Sequence, residues 1–470
     1  MAKARVANTR LAGLIAEAGL SHAHVARIFV RVAMESGAEE FAGVGRSHVS
    51  HWVGGTRPSG RAPLILCEAL SRHLGRNLSL DDIGLAGPAS PAESTFSNGL
   101  DWHVDPLNAL TSPADPGRDD VDLEHRRVLE AAAYSVAALT LPDQPWWQRM
   151  AERRGARSTR GSRRVGSGDV GAVGDMAAMF SRIDQRRGGG HARSAVVQYL
   201  TADVAGYLHG TFRSEQVRRD MLSAAGEIAY IAGWMTFDNC EHATAQRYLT
   251  IALKLAAEAD DPPLAGHILR ALAHQALDLG HHRQALDLAT ASVSGDRYAR
   301  ASHRERALLG VIHARSLAVT GHRQAAAALL RAEDDLAAAG AGEAEPDRVF
   351  FFGEASLAHE TACALRDGGD LSGATREFRR SVRTRKAALF TRTHAVTLGY
   401  LGSVQIQQND VEQACLTWSA ALDSMDGIRS GRTRQVASDL RELLAPFQRR
   451  GIKLVRELDA RAATYLASVP

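Results

Sequence analysis

The fold class this 470-residue chain predicts is all-α: a small N-terminal bundle of short helices followed by a long array of helical hairpins. Three observations lead there. Alanine, leucine and arginine dominate and aromatics make up only 6% of residues, a mixture of helix formers rather than strand formers. Apolar residues recur at three- and four-residue spacing along most of the chain. Beyond residue 220 small residues return at a nearly constant interval, the mark of a repeated supersecondary unit. The length is too great for one core, so two to four domains, or one domain and a repeat array, are expected.

Composition narrows the class of function. No apolar run reaches the roughly eighteen residues of a membrane span, and the opening MAKARVANTRLAGLIAEAGL carries charges and helical spacing where a secretory signal would be apolar. A cytoplasmic protein with no membrane partner follows. Cys67, Cys240, Cys363 and Cys415 lie far apart with no CxxC pair, so neither a disulfide framework nor a zinc site is supported. The net charge is +3, and residues 1–87 hold ten Lys/Arg against seven Asp/Glu, so the whole excess sits in that segment. A polyanion is the partner such an asymmetry points to.

The elements follow in order. Asn8-Thr9 offers an N-cap, and Leu11, Leu14, Ile15 and Ala18 form the inward stripe of a first helix that stops at Gly19. Ser21 caps a second helix with Val25, Ile28, Phe29 and Val32 inward. The third lies in VGRSHVSHWVGGTRPSGRAP, residues 44–63, where Val49, Trp52 and Val53 share one face and Gly54-Gly55 stop the helix. Pro63 starts a fourth, with Leu66, Ala69, Leu70 and Leu74 inward, and GRNLSLDDIGL closes a domain over 1–87. Residues 88–121, with Pro88, Pro91, Pro106, Pro113 and Pro116, read as a linker. A helical connecting region is expected over 122–220, beginning in RRVLEAAAYSVAALTL. It contains the arginine-rich segment 153–164, which reads either as a solvated linker or as an arm touching DNA phosphates.

The repeat domain spans 221–470, ending in capping helices. YLGSVQIQQNDVEQACLTWSAAL shows a Leu-Gly pair, Ala414 twelve residues after Gly402, Trp418 four later, and then Ala421. This is the tetratricopeptide pattern, with small residues where two antiparallel helices cross and a large one where they need filling. The same frame takes Gly233, Ala245, Leu249 and Ala252; then Ala273, Ala285 and Ala289; then Ala325, Leu329 and Ala332; then Ala362, Ala374 and Phe378. The alanines at 245, 285, 325, 374 and 414 stand 40, 40, 49 and 40 residues apart, and HRQA recurs at His282 and His322. Five tetratricopeptide-like hairpins are expected, longer than the usual repeat of about 34 residues.

Catalytic signatures such as HExxH, GxSxG, a Walker loop or GxGxxG after a strand are absent from the sequence, so no enzyme is expected, and no cofactor or metal. RRGGGHAR, residues 186–193, reads either as a glycine C-cap and tight turn or as an anion-cradling effector loop. The third helix is more informative. With its apolar residues inward, Arg46, Ser47, His48, Ser50 and His51 face outward as a row of donors without an acid. Lying in a major groove, such a helix reads bases, Arg46 suiting guanine, while Arg57 and Arg61 beyond it grip phosphates.

GLSHAHVARIFVR, VGRSHVSHWVGGTRPS and LCEALSRHLGR together resemble the helix-turn-helix domain of the xenobiotic-response-element (XRE) regulator family, with its Ser-x-Trp-x-x-Gly ending. NTRL, LDDIGL and the FSRIDQRRGGGHAR, AGWMTFDN and AQRYLTIAL stretches look like actinobacterial members that join this domain to C-terminal tetratricopeptide repeats. Two departures stand out: VRVAMESGAEEFAG adds residues between the second and third helices, and Val53 stands where many members have glutamate. The resemblance implies a nucleoid-associated homodimer on a pseudo-palindromic operator in double-stranded DNA, acting as a transcriptional regulator, commonly a repressor of development or specialised metabolism. It also implies repeats that sense a peptide, small molecule or protein partner. Carried onto these repeats, the concave ligand-binding wall comprises Tyr230, Trp234, His267, Arg270, His274, His359 and Arg366, aromatics to stack and arginines to fork a carboxylate. The competing expectation is a tetratricopeptide interaction scaffold without specific DNA binding.

Overall fold

Local capping chemistry places the first helices where the apolar spacing puts them. In the computed structural model, Asn8 accepts from Leu11 N through its side chain and opens α1 (Thr9–Glu17), and Gly19 leaves it at φ 64°. Ser21 caps α2 (His22–Glu35), accepting from His24 N at 3.3 Å. α3 is Arg46–Val53 and α4 is Ala62–Leu74. The structure describes residues 6–35, 38–74, 76, 78–85, 100–111, 134–153, 163–340, 345–448 and 452–468. It divides into two units, Met1–Gln144 with His242–Ile251 and Pro145–Glu241 with Ala252–Pro470.

In the first unit the inward stripes of α1 to α4 meet in one core, where Phe29 lies 5.2 Å from the Trp52 ring and 5.7 Å from Phe41. Burying each such side chain is worth about 1.5–3 kcal/mol. Asn8 also ties the two ends of this bundle together: its Nδ2 donates to Ile83 O at 2.9 Å and its backbone N to Val53 O at 2.9 Å. Gly55 sits at φ 96° with Val6 O where a Cβ would stand, so only glycine fits there.

This unit extends past residue 87, against the expected linker. α5 (Pro106–Thr111) buries Leu107 and Leu110, Leu100 is buried too, and Trp102 Nε1 donates to Thr140 O at 2.9 Å. The prolines punctuate this stretch, but its leucines anchor it. Tyr134–Thr140, expected to be helical, holds only a 3₁₀ turn over Ala137–Leu139, secured by Val136 N donating to the buried Glu68 at 2.7 Å. Side-chain capture of the backbone here replaces helical hydrogen bonding. Most of the segment expected to begin that helix, residues 122–133, and most of the arginine-rich segment, 154–162, lie outside the described residues.

The second unit begins with a short helix, α6 (Gln144–Glu152), whose first residue is counted in the other unit, and continues with α7 (Ser167–Arg187), α8 (Arg193–Tyr199) and α9 (Ala205–Leu208). Two-residue strands, β1 (Arg164–Val165) and β2 (Thr211–Phe212), pair in parallel. Five hairpins follow: α10 (Glu215–Asp238) and α11 (His242–Ala259), whose first half is counted in the other unit; α12 (Pro262–Asp278) and α13 (His282–Ser292); then, after the one-turn α14 (Asp296–Ala299), α15 (His303–Val319) and α16 (Ala325–Ala338); α17 (Glu354–Asp367) and α18 (Leu371–Thr384); α19 (Thr391–Gln407) and α20 (Val411–Ser424). α21 (Gly431–Gln448) and α22 (Lys453–Ser468) close the array.

Each hairpin turns the same way. The residue at the tip has positive φ in all five: Cys240, Gly280, Gly321, Gly369 and Asn409. The next residue sends its N–H back five positions, as His281 N does to Ala276 O at 2.8 Å and Asp370 N to Leu365 O at 2.8 Å. This is the Schellman closure, and it recurs at the repeat interval because each hairpin is the same unit.

Helix crossings are close where the sequence supplies small residues. A Cβ on Gly402 would stand 2.5 Å from the Trp418 ring, whose Nε1 donates to Gly399 O at 3.0 Å. Ala245, Ala285, Ala374 and Ala414 each occupy the fourth position of the second helix and are buried. The third hairpin departs from the expected frame. There the fourth position is Ala328, buried with Ala332, while Ala325 and Leu329 are only partly buried. HRQA at 282–285 lies inside α13, whereas at 322–325 it forms the turn before α16, so the same four residues serve a different step.

Candidate functional site

The first candidate is the outer face of α3. Val49 and Trp52 point into the core, which leaves Arg46, Ser47, His48 and His51 exposed. No acidic residue occurs between Glu40 and Glu68, so nothing in this stretch opposes an anion. The structure separates these donors by availability. His48 accepts from Gly45 N at 3.1 Å, closing the N-terminus of α3. Ser50 is half-buried, its Oγ 2.9 Å from Nδ1 of His22 on α2. Arg57 is exposed, yet it donates to Leu85 O at 2.5 Å, and Arg61 is half-buried. Arg46, Ser47 and His51 therefore form the outward row, with Arg27 and Arg31 exposed on α2.

The second candidate is a cavity of about 60 Å³ inside the second unit. Trp234, Arg270, His274 and His359 of the expected wall line it. Tyr230, His267 and Arg366 do not line it. Arg270 donates to Tyr230 Oη at 2.8 Å, Tyr230 stacks edge-on against His267 at 4.5 Å, and Arg366 lies over the Tyr400 ring at 5.3 Å while pairing with Asp367. The sequence reading missed Gln185, Arg385, Arg392, Thr393 and Arg432, which line the cavity from α7, the C-terminus of α18, α19 and α21. Their only shared signal is being arginine or polar, and the partners of Arg392, Thr393 and, for one contact, Arg432 are more than 150 positions away in the chain.

Two buried arginines, Arg392 and Arg315, and the half-buried Arg348 bind the unit together. Arg392 reaches Asp184 at 2.9 Å and Asp238 at 3.0 Å; Arg315 reaches Asp367 at 2.9 Å, Asp278 at 3.3 Å and Glu360 at 3.6 Å; Arg348 reaches Glu305 at 2.7 Å and Glu227 at 3.0 Å. Through Arg392, α7 joins α10 to α19, the first hairpin to the fifth, so α7 packs into the array and does not merely connect to it. Burial raises Asp184 to about 6, with Arg392 pulling it back and Asp238 adding to the rise. Burial likewise holds His267, His274 and His359 well below the ordinary histidine range, helped by the neighbouring arginines, so all three are neutral at pH 7.

RRGGGHAR belongs to this architecture. Gly189 N donates to Asp238 at 2.8 Å and Gly190 N to Arg429 O at 2.9 Å. A Cβ on Gly189 would stand 2.2 Å from Met235 O, so the glycines permit backbone to lie on backbone. Two of the loop's N–H groups are thus already spent on protein acceptors.

Cys363 and His359 lie 3.8 Å apart, the elements of a nucleophile and base. Burial pushes the thiol up to about 12 and the imidazole down, the reverse of the thiolate–imidazolium pair that such chemistry needs. Among the described residues no group of three or more histidine, cysteine, aspartate or glutamate side chains is placed to hold a metal, and no helix is long and apolar enough to cross a membrane.

Comparison with known proteins adds one match. A family model described as the SP15 N-terminal domain matches residues 11–86, the segment that contains α1 to α4. No curated protein and no solved structure matches the chain.

Proposed function

We propose that this protein is a sequence-specific DNA-binding transcriptional regulator whose helical repeats sense a small molecule. The observation that carries this reading is the outward row Arg46, Ser47 and His51 on a two-turn helix braced by a buried Trp52, in a stretch free of acids from residue 41 to 67. Two turns of helix are the size of element that enters a major groove, and Arg46 offers the fork that fits guanine O6 and N7. His48 and Ser50, busy with Gly45 and His22, serve the helix's shape, so base reading falls to Arg46, Ser47 and His51.

The size of the cavity favours a small effector. About 60 Å³ gives room for a few water-sized groups and not for a peptide in a groove, so the sensed species is compact. Repression, homodimerisation and a pseudo-palindromic operator belong to the same proposal, as does a cytoplasmic, nucleoid-associated location. Selection of bound duplexes from a random pool tests it: two half-sites about 10 base pairs apart, centre to centre, are expected. Recovery of no enriched sequence contradicts it and leaves the scaffold reading. That reading draws on the ten residues between α2 and α3, more than the three or four of a tight helix-turn-helix.

A further inference from the structure

We infer that the cavity is a binding site for a compact oxyanion, a small carboxylate or a phosphate group, held by Arg270 and Arg385. The inference rests on the reading of the repeats as the sensing half.

The arginines around the cavity fall into two sets. Arg315, Arg366, Arg392 and Arg432 each contact a carboxylate. Arg270 and Arg385 do not pair with one among the described residues. Arg270 is 2% exposed and donates only to Tyr230 Oη and the His267 ring, leaving Nε without a partner. Arg385 is 7% exposed and donates to Ala355 O and Ser381 Oγ, and its Nε is likewise unpartnered. Both line the same cavity. A buried guanidinium without a counter-charge is costly, and a fold retains it where an anion repays the cost.

The balance of charge favours an anion. Six arginines (270, 315, 366, 385, 392 and 432) stand against five carboxylates (Asp184, Asp238, Asp278, Glu360 and Asp367), and His267, His274 and His359 are neutral. At the lining itself Arg270, Arg385, Arg392 and Arg432 face one carboxylate, Glu360. Burial and the nearby Arg392 draw Arg385 down to about 10, with the Glu360 carboxylate pulling the other way. His274 lies 3.7 Å from Asp278 and 3.8 Å from Glu360, but neither ring nitrogen has a hydrogen-bond partner, so its N–H is available as a further donor. Gln185, Ser356 and Thr393 add neutral polar groups, and Trp234 and Phe351 are half-buried, so water reaches the lining. The volume matches a head group of a few heavy atoms.

The test uses the full chain with sodium pyruvate, sodium phosphate or sodium chloride at equal ionic strength, followed by thermal melting. Pyruvate, phosphate or both raise the midpoint by at least about 2 °C at 10 mM over chloride. A response to one alone assigns the head group. The rise disappears in Arg270→Met and in Arg385→Met and persists in Arg366→Met, whose charge is already paired. Should an arginine variant not fold, the emission of Trp234, isolated by subtracting Trp234→Phe, gives a saturable change with the oxyanion and none with chloride. No rise and no saturable change with either oxyanion overturns the site, as does a rise kept in both arginine variants. Duplex binding is scored separately: oxyanion binding without it removes the regulator reading alone, and duplex binding without a response to oxyanion removes this site alone.

Discussion

Arginine does opposite work in the two units. On α3 Arg46 is exposed, far from any acid in sequence, and contributes nothing to the core beneath it. In the second unit Arg392 and Arg315 are buried and each binds carboxylates from two helices. The difference shows that a residue's meaning comes from its surroundings: an unopposed exposed guanidinium offers a contact to something outside the chain, and an opposed buried one is part of the fold. Arg270 and Arg385 combine both conditions, buried and unopposed, which is why they point to a ligand.

The largest effect that separates the two kinds is on stability. Arg392→Ala leaves Asp184 and Asp238 buried without their cation and should cost about 3–5 kcal/mol of unfolding free energy in urea titration, whereas Arg46→Ala should stay within about 0.5 kcal/mol. An equal response from the two would erase the distinction.

A smaller effect comes from pH. His267, His274 and His359 are depressed by burial, so the stability they contribute is present above about 6.5 and is lost as the pH falls through and below that value. Each takes up a proton on unfolding and costs up to about 1.4 kcal/mol per pH unit. Asp184 is raised, and between about 6 and its ordinary value it gains as the pH falls, opposing one of the three. Melting midpoints between pH 7.5 and 5.5 should therefore fall, and His359→Gln, which can keep the contact to Thr397 Oγ1, should flatten the fall by roughly a third. A profile unchanged by His359→Gln would mean that this ring is protonated in the folded chain.

The two units were also unequally legible. α1 to α4 could be placed from sequence because local signals agree: Asn8 and Ser21 cap, Gly19 and Gly54 stop, and apolar residues three and four apart form the core. Hairpin repetition was legible through buried alanines at one helical position, and it slipped by three residues only at α16, where HRQA misled the alignment. Leu100–Thr111 was hidden by its prolines, since punctuation says nothing of which leucines will be covered. Four of the expected wall residues do line the cavity, because helical spacing places them on one side of α10, α12 and α17. Gln185, Arg385, Arg392 and Arg432 were invisible for a different reason: they arrive through packing between distant helices, and no local pattern encodes a pairing such as Arg392 with Asp184 across 208 positions.

The central claim, that the outward row Arg46, Ser47 and His51 reads duplex DNA, is met most directly by measuring affinity for the selected duplex in the full chain and in Arg46→Ala at about 50 and 200 mM salt. The account predicts binding that weakens steeply with salt as phosphate contacts release counterions, and a loss of about 1–3 kcal/mol in Arg46→Ala against the selected site with little change against random duplex. Absence of binding at the lower salt, or equal affinity of Arg46→Ala for the selected site, would contradict it.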